Sequence, residues 1–122
     1  MTAYKRGDVI LVPFRFSNQK AAKKRPAIVI SCDAYSSVSF DTVIMAITSQ
    51  TEKTLGVGEC LIQDWHTSGL LKPSVIKPAI STIEQTLILK KLGKLSAIDV
   101  FSMENVLKKL LDIEDDRQSQ DT

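Results

Sequence analysis

Six short apolar runs, rich in Val and Ile, fill most of this chain, and a helical period appears only after them. Runs of this length and composition, bounded by turn residues, are typical of β-strands. We expect strands at 9–14, 27–32, 42–49, 59–62, 72–83 and 87–95. The run from Val43 to Ile47 is apolar at consecutive positions, which predicts a strand buried on both faces.

The C-terminal region predicts a single long helix. Ser96 and Asp99 have the spacing of a capping box, and Val100, Met103 and Leu107 recur at helical intervals behind them. Strands followed by one helix predict a mainly β fold, an antiparallel and partly open small barrel with the C-terminal α-helix packed on it.

Charge is distributed unevenly along the 122 residues. Residues 112–122 carry five carboxylates and one arginine, net −4, which leaves +6 on residues 1–111 because the whole chain carries +2. We expect one domain over 1–111 with an anionic partner, and an acidic, disordered tail over 112–122. No apolar run approaches the roughly 18 residues of a membrane span, and no secretory leader precedes Gly7, so we expect a cytoplasmic protein without membrane contact.

Several chemistries lack their motifs. The sequence contains no glycine-rich phosphate loop, a single histidine (His66), and two cysteines, Cys32 and Cys60, without C-x-x-C spacing. We therefore expect no metal and no cofactor, with both cysteines as reduced, small core residues.

Polar residues at the ends of predicted strands are the remaining candidates for a site. Arg25 precedes the second strand, Thr48 and Ser49 close the third, and Ser74 begins the fifth. In a small barrel these ends can meet at one rim, where a guanidinium flanked by hydroxyls suits a phosphodiester. RNA supplies its own 2′-OH nucleophile, so the protein need only position the phosphate, stabilise charge and move a proton. The alternative is that Arg25 is a solvated loop cation and that Thr48 and Ser49 form a turn.

Five segments in the same order resemble the PemK/MazF toxins of type II toxin–antitoxin modules, and together they span about residues 6–111. They are Gly7-Asp8-Val9; Arg25-Pro26-Ala27-Ile28-Val29-Ile30-Ser31; Val43-Ile44-Met45-Ala46-Ile47-Thr48-Ser49; Gly69-Leu70-x-Lys72-Pro73-Ser74-Val75; and Thr82-Ile83 followed by Lys91-Leu92-Gly93-Lys94-Leu95-Ser96.

The resemblance implies an SH3-like barrel of the PemK/MazF/CcdB kind that forms a homodimer. It implies a metal-independent endoribonuclease that cuts single-stranded RNA at short sequences and leaves 2′,3′-cyclic phosphate and 5′-OH ends. A cognate antitoxin would occupy the RNA groove with a C-terminal peptide. By position, Arg25 and Thr48 match the catalytic residues, Ser49 adjoins them, and Ser74 matches a substrate-contacting serine.

Two segments depart from the family pattern. The loop before Arg25 is basic and lacks glycine, with Lys20, Lys23 and Lys24 as expected RNA contacts, and Ala79-Ile80-Ser81 replaces a segment that carries Gln in many relatives. The cut sequence therefore cannot be inferred. Two other functions stay open, a CcdB-like toxin that binds DNA gyrase without cutting nucleic acid, and an inactive barrel that only binds RNA or a peptide.

Overall fold

Six strands form one antiparallel sheet in a computed structural model, which describes residues 4–15, 20–49 and 54–114. The strand order is β4-β5-β3-β2-β1-β6. The elements are β1 (Asp8–Phe14), β2 (Lys23–Val29), α1 (Asp33–Val38), β3 (Asp41–Thr48), β4 (Cys60–Ile62), β5 (Ser74–Glu84), β6 (Lys90–Lys94) and α2 (Ala97–Leu111), with a 3₁₀ turn at Gln85–Leu87. The sheet curls into a half-barrel, so the predicted fold class is confirmed.

Both faces of the sheet are buried at its centre. Alternate residues of β3 enter two separate apolar clusters, Met45 and Ile47 in one and Ile44 and Ala46 in the other. This alternation follows from the two-residue period of a strand. The prediction that this strand is buried on both faces is confirmed.

Helix α2 covers the cluster that contains Met45. Met103 is fully buried, and Val100 and Leu107 pack beside it. Ser96 is the N-cap, as the sequence predicts, and its Oγ accepts a hydrogen bond from the Asp99 N–H at 3.3 Å. The Asp99 carboxylate does not complete a capping box, because it accepts hydrogen bonds from a neighbouring turn instead.

Strand β2 differs from the prediction at both ends. It begins at Lys23 and ends at Val29, so Arg25 lies inside the strand rather than before it. The polar residues Lys23, Lys24 and Arg25 are part of the strand because they pair with the last three residues of β1. Backbone pairing along the hairpin outweighs the polar character of these side chains.

The two cysteines have different environments. Cys60 is buried as expected, and burial, followed by the charge of Asp99, raises the pKa of its thiol. The expectation for Cys32 is wrong, because it is exposed at the N-cap of α1, where it contributes little to the core.

Two expectations concern the ends and the surroundings of the chain. Most of the acidic tail, residues 115–122, lies outside the described residues, so its disorder stays a prediction. In the parts that the structure describes, neither helix has the length and apolar character needed to cross a bilayer.

Candidate nucleic-acid interface

Arg25 and Thr48 lie on neighbouring strands, each two residues beyond the end of the β2–β3 ladder. The pairs Val29–Ile44, Ile28–Met45 and Ala27–Ala46 fix the register, which places Arg25 opposite Thr48 when it is continued for two residues. The ladder stops because Pro26 has no N–H to donate. Both side chains are half-buried and line one cleft.

Strand β5 adds a serine on the other side of β3. Thr48 pairs with Val75, which places Ser49 opposite Ser74 one residue further on. Both serines line the cleft. They differ in exposure, since Ser49 is open to solvent whereas Ser74 is 3% exposed and donates its hydroxyl to the Lys72 carbonyl at 2.8 Å.

Strands β1 and β6 extend the cleft past β2. Leu11 of β1 pairs with Pro26 on one side and with Lys90 of β6 on the other. Opposed residues on neighbouring strands point to the same face of a sheet. Lys90, Leu11 and Pro26 therefore lie side by side, and all three line the cleft.

The remaining wall is the segment 69–72, which is packed against β6 at Gly69. The α-carbon of Gly69 is so close to the Leu92 carbonyl, and that of Gly93 to the Ser68 carbonyl, that a Cβ at either glycine would collide with backbone. Gly69 also has a φ of +87°, which L-residues rarely adopt.

The turn that leads into this wall is clamped by Asp99. Its fully buried carboxylate accepts hydrogen bonds from the Gln63 N–H at 2.9 Å and the Asp64 N–H at 2.8 Å. The wall that carries Leu71 and Lys72 is therefore anchored to α2 through the turn that precedes it.

The cleft is open and strongly cationic. Its volume is about 630 Å³, and Lys24, Arg25, Lys72 and Lys90 all line it. No Asp, Glu, His or Cys occurs among the described residues of the lining. Carboxylates outside the cleft form ion pairs with basic residues that do not line it, such as Asp8 with Lys91 at 3.2 Å and Glu104 with Arg6 at 3.3 Å. Such a surface favours an anionic ligand with several charges.

Five of the seven residues selected from the sequence line the cleft, namely Arg25, Thr48, Ser49, Ser74 and Lys24. Lys20 and Lys23 are exposed but do not line it. Lys20 lies in the loop before β2, where its carbonyl accepts a hydrogen bond from Arg15.

Two cations of the lining were missed by the sequence prediction. Lys72 belongs to the Gly-Leu-x-Lys-Pro-Ser segment, so the resemblance offered a signal for it. Lys90 has no local signal, because it reaches the cleft only through the pairing of β6 with β1.

Potential metal ligands are scattered over the described part of the chain. Within residues 4–15, 20–49 and 54–114, no three His, Cys, Asp or Glu side chains are grouped closely enough to hold a metal ion.

Comparison with solved structures shows the same fold in several toxins at low sequence identity. A mycobacterial endoribonuclease, solved in complex with its cognate antitoxin, is 19% identical with a TM-score of 0.73, over 92% of this chain and 98% of that one. MazF in a MazE–MazF crystal structure from Deinococcus radiodurans is 18% identical with a TM-score of 0.70, over 93% and 100%. The Mycobacterium tuberculosis toxin MazF-mt6 is 17% identical with a TM-score of 0.69, over 88% and 98%.

A search of curated proteins found no match. The family model of PemK-like, MazF-like toxins of type II toxin–antitoxin systems matches residues 5–111, nearly the whole of the described chain. On this match and the shared half-barrel, the chain belongs to the PemK-like, MazF-like toxins of type II toxin–antitoxin systems.

Proposed function

We propose that this toxin is a metal-independent endoribonuclease that cuts single-stranded RNA, including mRNA, at short sequences. The observation that carries the proposal is the cleft in which Arg25 and Thr48 lie together among three lysines, without a carboxylate in the described lining. Structures of the same fold are named as endoribonucleases, which supports the same activity here.

The proposed reaction is transesterification within the RNA. The 2′-oxygen attacks the adjacent phosphorus and loses its proton, while the bond from phosphorus to the 5′-oxygen breaks and that oxygen takes up a proton. The products are a 2′,3′-cyclic phosphate and a 5′-OH. Charge accumulates on the non-bridging oxygens as the phosphorus becomes pentacoordinate, so fixed donors aimed at them lower the barrier.

Arg25 and Thr48 have separate roles in this scheme. The guanidinium of Arg25 binds two oxygens in a bidentate manner and stabilises the added charge. A guanidinium does not readily deprotonate, so it is not assigned as the base. The Thr48 hydroxyl donates a hydrogen bond to a phosphate oxygen.

Neighbouring residues hold the substrate or the cleft itself. Lys24 and the exposed Ser49 contact the RNA backbone. Ser74, predicted as an RNA contact, has its hydroxyl proton bonded to the Lys72 carbonyl, which supports a role in fixing the wall. Lys20 and Lys23 attract RNA at longer range, because both are exposed outside the cleft.

The partners are proposed from the family. Related toxins were crystallised with antitoxin, and we expect a cognate antitoxin to inhibit this chain by placing its C-terminal peptide in the cleft. We also expect a homodimer that acts in the cytoplasm, where mRNA is available.

Incubation with a long single-stranded RNA in EDTA tests the proposal. The wild-type protein should cut the RNA, with 2′,3′-cyclic phosphate ends detected by mass spectrometry, and Arg25→Ala should abolish the products. Lys109→Ala is the matched control, since it removes an exposed cation on α2 that does not line the cleft.

Three results contradict the proposal in different ways. Cleavage that requires a divalent metal contradicts the chemistry, and cleavage that survives Arg25→Ala contradicts the site. RNA that stays intact while the protein binds purified DNA gyrase identifies a CcdB-like toxin instead.

A further inference from the structure

The cleft crosses the strands of the sheet instead of following one of them. Its floor passes from Ser74 of β5 to β3, β2 and β1 and reaches Lys90 of β6, while the segment 69–72 returns from Leu92 of β6 towards Ser74 as a side wall. Neighbouring strands are about 4.8 Å apart, so these four steps cover roughly 19 Å along the curved surface. The distance exceeds what a single phosphodiester occupies and suits a short run of nucleotides.

Cations occupy both ends of this path and its middle. Lys72 lies on the side wall near its β5 end, two residues before Ser74, and Lys90 lies at the β6 end of the floor. Arg25 lies on β2, between them in the strand order. No described carboxylate pairs with Lys72 or Lys90, and both side chains are exposed.

The backbone at each of the two lysines is held in place by its neighbours, so each side chain starts from a fixed position. Lys72 is on the segment held by the Ser74 hydroxyl and the close approach of Gly69 to Leu92. Lys90 is the first residue of β6, and its pairing with Leu11 fixes its backbone. On the protein side, binding therefore has to order the two lysine side chains and not the backbone that carries them.

We propose that Lys72 and Lys90 bind the RNA phosphates on opposite sides of the cut, so that the substrate lies across the strands from β5 to β6 with its scissile phosphate at Arg25. This rests on the proposed function and assigns to each lysine one flank of the substrate. Both are substrate-binding residues and neither takes part in the chemical step.

Salt dependence of binding tests whether these lysines neutralise phosphates. The ligand is a single-stranded RNA that carries a cut site mapped in the wild-type cleavage assay and is 2′-O-methylated at that site, so that it cannot react. For single strands, each neutralised phosphate contributes about 0.7 to the steepness of log K against log salt. Lys72→Ala and Lys90→Ala should each lower the slope by about 0.7, which makes the decrease in affinity between 50 and 200 mM salt about 2.6-fold smaller than in the wild type.

Matched variants separate charge from folding. Lys94→Ala removes an exposed cation from the same strand as Lys90, outside the cleft, and should leave the slope unchanged. Lys72→Arg and Lys90→Arg should retain the wild-type slope because they keep the charge. An unchanged slope in both alanine variants, or an equal change in Lys94→Ala, overturns the proposal.

Shortened RNAs test the direction of the path. Removing nucleotides from one side of the cut should abolish the effect of Lys90→Ala while that of Lys72→Ala persists, and removal from the other side should do the reverse. If one truncation abolishes both effects, or neither truncation abolishes any, the two-sided arrangement is wrong. RNA cleavage by the wild type is measured in parallel, so failure of this path and failure of the ribonuclease proposal give different results.

Discussion

Arg25 lies where the β2–β3 ladder stops, two residues beyond the last pair, Ala27–Ala46. The stop follows from Pro26, which has no N–H and favours extended geometry in the residue before it. An arginine held in this way on a strand needs less ordering than one on a loop to place its planar guanidinium against two phosphate oxygens.

Replacing Arg25 with lysine should remove most of the activity although the charge is retained. Lysine offers a point charge in place of the planar fork, so one of the two aligned donors is removed as charge develops on the phosphate. We expect kcat to fall by about 10²–10³, the usual cost of removing one such donor. Single-turnover cleavage measures this, and a rate like that of the wild type would show that charge alone is required.

The pH profile depends on which residue types line the cleft. No His, Asp, Glu or Cys occurs among the described lining residues, and these are the side chains that ordinarily titrate between about pH 4 and 8.5. We expect log kcat/KM to rise with pH between about 5 and 8 without a maximum, because more of the 2′-OH is then deprotonated. A bell-shaped profile in this range would require a titrating side chain from outside the described lining.

At the scale of elements, the cleft depends on how α2 is joined to the turn before β5. Asp99 is in the first turn of α2, yet its carboxylate accepts hydrogen bonds from the backbone N–H groups of Gln63 and Asp64. The helix thereby fixes the start of the wall, and the close approach of Gly69 to β6 fixes its end.

Removal of the Asp99 carboxylate should destabilise the fold. Asp99→Ala leaves two backbone N–H groups without their charged acceptor, and we expect the free energy of unfolding to fall by about 3–5 kcal/mol. Asp99→Asn keeps one acceptor oxygen and should cost less. Urea denaturation provides the measurement.

The control for this change is on the same helix. Glu104 forms an exposed ion pair with Arg6, so Glu104→Ala should change the free energy of unfolding by about 1 kcal/mol or less. Equal decreases from Asp99→Ala and Glu104→Ala would contradict the assigned role of Asp99.

At the scale of the whole molecule, large apolar side chains remain exposed at several sites, and two of these sites involve the helices. One is the end of α1, with Val38 at 86% and Phe40 at 73% exposure, and the other is α2, with Ile98 and Phe101 at 59% and 65%. Exposed apolar groups of this kind mark interaction surfaces when they are contiguous.

We expect the purified toxin to be a dimer at micromolar concentration, by sedimentation equilibrium. If the interface includes an exposed apolar surface, Phe40→Glu or Phe101→Glu should weaken association, because a buried unpaired charge is costly. Lys109→Glu on α2 is the control, because it introduces the same charge at a position that is already polar. A wild-type protein that sediments as a monomer contradicts the expectation.

The elements were predictable because their signals are local. The β-branched runs around Val9, Ile28 and Ile44 and the spacing of Ser96 with Asp99 indicate strands and a capped helix without any long-range information. Family resemblance then selected Arg25 and Thr48, although only the structure shows that they lie on neighbouring strands and line one cleft.

The rest of the site was decided by pairing between distant segments. Lys23 to Arg25 are polar, and only the partner strand β1 makes them part of β2. Lys90 reaches the cleft by pairing with Leu11, and Lys72 by a turn held through Asp99, Ser74 and Gly69. The sequence by itself determined which segments form strands, because strand propensity is a local backbone preference. It also identified Arg25 as the cation that precedes Pro26. Tertiary structure decided which charges share a cleft, because that depends on which strands lie side by side.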